Sequence, residues 1–281
     1  MARRFSGLSR RDFLRAGAVA TIGVKVGGSG AVASTGVQSG AQPNPQVASV
    51  KALVFDVFGT VVDWRTSVAK EVEALAKRKG LKLDGEKFAD AWRGAYGPSM
   101  NRVRTGELPW TNLDSLHRMT LDKILVDFGI VGLSEAETGE LNRAWHRLRP
   151  WPDSVGGLAR LKRKFIIAPL SNGNISLMTD MAKHSGLPWD CILGAELVRH
   201  YKPDREVYQS AADFLDLKPA DVMMVAAHLG DLRAAKAVGL RTAFVTRPFE
   251  FGPDRKPDMK PDFPVEITAK DFNDLATQLG A

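Results

Sequence analysis

From residue 50 onward, short apolar runs alternate with stretches whose apolar positions recur every three to four residues. The first pattern is that of buried strands and the second that of amphipathic helices. The apolar runs cover 52–56, 165–170, 222–226 and 242–246, with a short one near 191–193. Helical periods lie between them, near 176–184, 205–214 and 232–238. Strands apolar on both faces and separated by helices predict an α/β fold with a doubly wound parallel sheet. One interval breaks the alternation. Residues 65–149 hold no strand run and read as four amphipathic helices, near 66–79, 85–103, 110–128 and 134–148. That block is too long for an ordinary crossover. It predicts a helical cap domain at 65–149, inserted into a core domain made of 51–64 and 150–281. Ligands in such sheets bind at the carboxyl ends of the strands, where a cap would exclude water.

The first 50 residues follow a different pattern. Residues 26–50 are rich in Gly, Ser, Ala and Gln, with Pro43 and Pro45 and no charge after Lys25, so 34–50 reads as a flexible linker. Residues 1–33 carry Ser9-Arg10-Arg11-Asp12-Phe13-Leu14-Arg15, then an apolar stretch from Ala16 to Val24, then Ala31-Val32-Ala33. This resembles a twin-arginine signal peptide with a small-x-small cleavage site. It implies export by the twin-arginine machinery to the periplasm. The apolar stretch is far shorter than the ~20 residues of a membrane span. The leader also accounts for most of the net charge of +7. Up to Ala33 there are six basic residues against Asp12, which leaves 33 basic and 31 acidic residues in the remainder. The excess is therefore not a nucleic-acid footprint. Cys191 is the single cysteine, so no intramolecular disulfide can form; beside Ile192 and Leu193 it reads as a small core residue.

Candidate chemistry falls just past the predicted strands. Asp56 ends the first, Leu170-Ser171-Asn172-Gly173 the second, and Ala226-Ala227-His228-Leu229-Gly230-Asp231 a later one, while Tyr201-Lys202-Pro203-Asp204 lies in a loop before a helix. In a parallel sheet these loops converge on one edge. A carboxylate there can act as a nucleophile, with a lysine to hold it ionised. "FDVFGT", "LSNG", "YKPD" with Tyr208 six residues past the lysine, and the acid after "VAAHLG" resemble, in that order, the four motifs of the haloacid dehalogenase superfamily. The likeness spans about 51–281 and is nearest to the 2-haloacid dehalogenases acting on L-2-haloacids. It implies a Rossmann-like core under a helical cap, hydrolysis of short 2-haloacids to 2-hydroxy acids with halide as the second product, and homodimers.

The resemblance also implies roles. Asp56 attacks the halogen-bearing carbon and forms an ester, which water then hydrolyses. Lys202 and Thr60 stabilise and orient Asp56, Tyr208 supports Lys202, and Asp231 orients or activates the water. Ser171 holds the substrate carboxylate, with Val57 and Phe58 bordering the substrate. Asn172 and Arg93, in "AWRGAY", receive the halide, and Trp110 forms an apolar wall. Two departures from the superfamily's phosphatases favour dehalogenation. The acid expected two residues after the nucleophile is Phe58, and halide, a stable anion, needs no proton donor. The D-x-x-x-D pair that helps hold magnesium is missing, because Ala227 and Ala235 stand four residues either side of Asp231. No metal or other cofactor is expected. One departure from the dehalogenases is His228, where many have asparagine; it could serve as a hydrogen-bonding group or as a base for water. Other hydrolytic chemistry on the same nucleophile, opening a ring or cleaving a phosphoester, is the nearest rival. A non-catalytic periplasmic binding protein is the rival from another class. Arg102 and Arg104 read as solvated helix charges.

Overall fold

The structure, a computed structural model, describes residues 47–253 and 255–281. The twin-arginine stretch, the cleavage site and most of the linker lie outside the described residues.

The chain enters the core through β1 (Ala52–Phe55) and turns into the short β2 (Val62–Asp63). It then leaves for α1 (Trp64–Lys79), α2 (Gly85–Arg104), α3 (Leu113–Asp127) and α4 (Glu135–Asn142). A 3-10 turn over Arg143–Arg147 leads back to β3 (Arg149–Pro150), which pairs antiparallel with β2. This two-stranded neck stands where the helical excursion begins and ends. The core continues with α5 (Ser154–Lys162), β4 (Ile166–Ser171), α6 (Ile175–Ser185), β5 (Leu193–Gly194) and the single turn α7 (Ala195–Val198). It closes with α8 (Arg205–Phe214), β6 (Val222–Ala226), α9 (Leu229–Ala237), β7 (Arg241–Val245), β8 (Ile267–Ala269) and α10 (Phe272–Gln278).

Six strands form one parallel sheet in the order β5-β4-β1-β6-β7-β8. β1 is central, and the chain winds out through β4 and β5 before returning to β6 on the other side. The switch point therefore lies beside β1, where such sheets open a ligand crevice. Side chains alternate across the sheet. Leu53, Phe55, Met223 and Val225 pack into one buried cluster, which also takes in the cap residues Phe88, Trp92 and Trp145. Ala52, Val54, Met224 and Ala226 pack into the other, with Tyr208 and Ala211 of α8. Both faces are covered, which is why the strand runs lack polar alternation. Cys191 is half-buried against the second cluster.

Several predicted boundaries move, for local reasons. α3 starts at Leu113 because Asn112 caps it, its side chain accepting from the Ser115 amide. The fourth cap helix is two pieces: Ser134 and Glu137 form a reciprocal capping box at the start of α4, and the helix tightens to 3-10 geometry after Asn142. α9 starts at Leu229 rather than residue 232, which puts His228 at its N-cap and Asp231 in its first turn. Arg104 is not a free helix charge; it pairs with Asp204 at 2.6 Å and ties α2 to the loop carrying Lys202. β8, α5 and α10 have no counterpart in the strand and helix pattern drawn from the sequence.

Candidate active site

Asp56 lies one residue beyond β1, and its amide still donates to the Val225 carbonyl of β6 at 3.0 Å. The central strand thus fixes the carboxylate's position. The turn that follows is tight. Val57 O accepts from the amides of Val61 and Val62, and Gly59 adopts φ +89°. This turn brings Thr60 back under Asp56, where its hydroxyl donates to Asp56 Oδ2 at 2.7 Å and accepts from the Ala227 amide at 3.0 Å.

Lys202 Nζ lies between two carboxylates, 3.0 Å from Asp56 Oδ1 and 2.5 Å from Asp231 Oδ2. Tyr208, on α8, donates to the other oxygen of Asp231 at 2.5 Å. All four groups are nearly closed off from water. Burial opposes the charge on Asp56, but the Lys202 ammonium and hydrogen bonds from His228 and Thr60 outweigh it, and the carboxyl sits well below the usual carboxylate range. Burial also opposes the Lys202 charge, yet Asp231 and Asp56 together raise its pKa above that of an ordinary lysine. Asp231 is pushed the other way, raised by burial and by the charge on Asp56 against the pull of Lys202. Burial and Asp231 keep the Tyr208 proton in place.

The sequence leaves two alternatives for His228, a hydrogen-bonding group or a base for water. Its Nδ1 meets Asp56 Oδ2 at 3.0 Å, and its Nε2 meets the Glu250 carboxylate at 2.9 and 3.0 Å. Burial disfavours the charged ring, but the two carboxylates win and push its pKa up to about 10. An imidazole flanked this way is protonated at neutral pH and both nitrogens donate. With both nitrogens engaged by carboxylates, the geometry favours the hydrogen-bonding alternative over the base for water.

Glu250 was not anticipated. It is 1% exposed, lies in the loop after β7, and also accepts from Trp64 Nε1 at 3.2 Å. Its approach requires Gly59, because a Cβ there would lie 2.1 Å from Glu250 Oε1.

A cavity of about 280 Å³ opens over these groups, lined among others by Asp56, Arg93, Tyr96, Asn172, Lys202 and Asp231. Arg93 reaches in from α2 with its guanidinium carbon 4.0 Å from the Tyr96 ring centroid, 5.5 Å from Trp64 and 5.7 Å from Phe58. Its buried Nη1 has no hydrogen-bond partner among the described residues. The rings hold the guanidinium by cation–π contact, and its unpartnered N–H suits a weakly hydrated anion. Asn172 is buried in the cavity wall, its Oδ1 taken by the Lys202 amide at 2.8 Å and its side-chain amide bonded to the Tyr96 hydroxyl, which leaves one N–H for a ligand.

Not every expected residue faces this space. Trp110 stacks on Tyr201, ring centroids 4.9 Å apart, and is not among the residues lining the cavity. Tyr201 itself is tethered by its hydroxyl to the Thr111 carbonyl. Tyr96, one helical turn past Arg93 on the same face, is the aromatic wall instead, and that spacing was visible in "AWRGAY". The side chains of Val57 and Ser171 are fully buried, and neither lines the cavity. Ser171 Oγ accepts from the Gly173 amide at 3.0 Å and holds that turn in shape. Phe58 does not line the cavity either; it is buried behind Arg93 and Tyr96, which it supports.

The donor set does not fit a resident divalent cation. The position between Asp56 and Asp231 is filled by the Lys202 ammonium, and Phe58 and Ala227 supply no side-chain oxygen.

Residues 50–239 match the sequence profile of the haloacid dehalogenase-like hydrolases. The chain belongs to that family. It is 31% identical to the (S)-2-haloacid dehalogenase 1 of Pseudomonas sp. (strain CBS-3) over 215 residues, 73% of this chain and 91% of the relative. Among solved structures it is similar to a defluorinating L-2-haloacid dehalogenase, at 49% identity and a TM-score of 0.82, over 85% of this chain and 99% of that one. A second L-2-haloacid dehalogenase matches at 47% identity and a TM-score of 0.80, over 82% and 99% respectively.

Proposed function

We propose that this protein hydrolyses short (S)-2-haloalkanoic acids to 2-hydroxy acids through an ester on Asp56. The observation that carries the reading is the environment of that carboxylate. It is held ionised by Lys202 and His228, faces an open cavity under the cap helix α2, and has the apolar Phe58 where a phosphatase would need a second acid. The relatives at 31%, 49% and 47% identity are named haloacid dehalogenases and support this reading, although two relatives at 28% identity are named phosphoglycolate phosphatases.

In this mechanism Asp56 attacks the halogen-bearing carbon from behind, inverts it and expels halide towards Arg93 and Asn172. The guanidinium meets charge that develops only as the bond breaks, and that timing lowers the barrier. Phe58 and Tyr96 exclude water around the leaving halide. Ser171, fully buried and bonded to the Gly173 amide, shapes the turn beside the substrate rather than touching it, and Val57 packs behind that edge. Water then attacks the Asp56 carbonyl carbon. Asp231, a carboxylate made more basic by its surroundings, takes the water's proton, while Lys202 and Tyr208 hold it in place.

The leader supports a further reading, that the protein is exported folded by the twin-arginine pathway and acts in the periplasm. Cell fractionation against a variant with Arg10 and Arg11 replaced by Lys tests it. A homodimer follows only from family resemblance and is tested by analytical ultracentrifugation.

The test of function is free-halide release by the full chain, treated with chelator, from L-2-chloropropionate, D-2-chloropropionate, chloroacetate and fluoroacetate. Halide from the L enantiomer without added metal is the expected result. Phosphatase activity appearing only with magnesium, and no halide from any substrate, would overturn it.

A further inference from the structure

Asp56 has two unlike oxygens. Oδ2 accepts two hydrogen bonds, from Thr60 Oγ1 and His228 Nδ1, which take up both of its lone pairs. Oδ1 accepts one, from Lys202, and keeps a lone pair free. Oδ1 is therefore the oxygen that attacks carbon, and Oδ2 becomes the carbonyl oxygen of the ester. When water adds to that ester, negative charge develops on Oδ2, between two donors already in place.

The ester changes the balance around His228. Asp56 loses its charge on alkylation, and the ring then has one of its two carboxylate partners left to keep it protonated. A neutral ring keeps a single N–H, so the charged donor aimed at Oδ2 would be replaced by a weaker one at the step that needs it, unless something else held the second proton. Glu250 is the group placed to do so. It is buried, bonded to the far nitrogen of the ring, and fixed by Trp64. The other charged groups near the ring are Arg93 on α2, Arg255 and the Arg65–Asp90 pair across a neighbouring cavity of about 610 Å³, and Asp258, whose carboxylate accepts from the Leu229 amide rather than from the ring. Lys202 and Asp231 lie beyond Asp56. Apart from Asp56, Glu250 is thus the one carboxylate in contact with the ring among the described residues.

We propose that Glu250 is a positioning residue that keeps His228 as an imidazolium throughout the cycle, so that His228 and Thr60 form the oxyanion site for hydrolysis of the Asp56 ester. This rests on the dehalogenase reading above. In the step itself, a water oxygen bonds to Cγ of Asp56 as the carbonyl electron pair moves to Oδ2, and one water proton passes to Asp231. Collapse of the adduct re-forms the carbonyl and breaks the Cγ–Oδ1 bond. The departing alkoxide takes the proton from Asp231 and leaves as the 2-hydroxy acid. The second water proton goes to solvent, which leaves Asp56 as a carboxylate with one oxygen from water.

The experiment compares the full-length wild type with Glu250→Gln, which keeps the shape and the acceptor for Trp64. Rapid-quench halide release and intact-protein mass are followed with L-2-chloropropionate. Glu250→Gln is expected to give a burst of about one equivalent of halide at near the wild-type rate. Turnover then slows by roughly 10²-fold, the scale of losing one oxyanion donor, with the ester accumulating on Asp56. The slow phase recovers as pH falls and His228 takes its proton back, whereas a purely structural defect would slow turnover equally at every pH. A second measurement does not depend on activity. In Asp56→Asn, a neutral stand-in for the ester, NMR of the His228 ring should show it still protonated at pH 7.5, and in Asp56→Asn/Glu250→Gln it should be neutral. A neutral ring in Asp56→Asn, or turnover in Glu250→Gln without accumulated ester, overturns the role of Glu250 while the dehalogenase reading stands. Absence of halide from the wild type would instead remove the reading on which it rests.

Discussion

Replacing Lys202 by Met leaves Asp56 and Asp231 in one enclosed space without the cation between them. The three side chains are between 7% and 10% exposed, so water offers little relief. At the observed 3.0 Å between Nζ and Asp56 Oδ1, the lost attraction is about 5 kcal/mol for an effective dielectric of ~20. Removing one member of a buried pair typically costs about 3–5 kcal/mol, which agrees in scale. The Asp56 carboxyl should rise out of its depressed range, because only His228 and Thr60 still favour its charge. At about 1.4 kcal/mol per tenfold, kcat/KM at pH 7 should fall on the order of 10³-fold or more. The residual activity should climb with pH as Asp56 loses its proton, whereas in the wild type Asp56 is already ionised there. The assay is halide release by ion chromatography from pH 5 to 9, with circular dichroism to show that the variant folds. Activity within tenfold of wild type, or a residual rate that does not depend on pH, would refute the assignment of Lys202 as the group that holds Asp56 ionised.

Three further outcomes follow from the same geometry. His228 is raised from 6.5 to about 10 in the folded state, so the stability it adds is fully present below pH 6.5 and is lost as pH rises through about 10. The difference in unfolding free energy between wild type and His228→Asn should shrink between pH 7 and 10, and a constant difference would mean that the ring is not charged. Gly59→Ala forces a left-handed alanine and a Cβ 2.1 Å from Glu250 Oε1; urea denaturation should show a loss of about 2–4 kcal/mol, and a loss under 1 kcal/mol would mean that Glu250 is not held against the turn. His117 is buried in the cap with neither ring nitrogen bonded among the described residues, and its ring stacks on Trp145 with centroids 4.4 Å apart. Burial takes its pKa down to about 3, so it is neutral. His117→Phe keeps the stack and removes the unpaired nitrogens, so urea denaturation should show stability unchanged or raised by about 1–2 kcal/mol; a drop of more than 1 kcal/mol would point to a polar partner for the ring.

The sheet and its cap were legible in the sequence because the strands are buried on both faces and the cap helices on one. Such segments carry their environment in their own periodicity. β8, α5 and α10 were missed for the opposite reason: Ile267–Ala269 is three residues long, and α5 contains Gly156 and Gly157. The Cβ missing at Gly157 is what lets Phe272 of α10 pack against α5. Asp56, Lys202 and Asp231 could be read because each belongs to a short motif with its own spacing. Glu250 could not, since nothing within four residues of it in "TRPFE" or beyond signals chemistry. It matters only because the loop after β7 folds back over the Gly59 turn. The rule that a polar residue just past a parallel strand faces the ligand edge, applied to β7 as it was to β1, would have pointed to that loop.

Phe58 and His228 gain a common explanation from the charge count of the site. Asp56, Asp231 and Glu250 contribute three formal negative charges, and Lys202, His228 and Arg93 three positive ones. A haloacid brings a carboxylate of its own, and a net negative set of nearly buried side chains would repel it. An aspartate in place of Phe58 would tip the balance to that side. An asparagine in place of His228 would do the same, unless Glu250 were also absent. His228 and Glu250 therefore act as one neutral unit added to the Asp56–Lys202–Asp231 set, which lets the site hold a third acid near its nucleophile and still accept an anionic substrate.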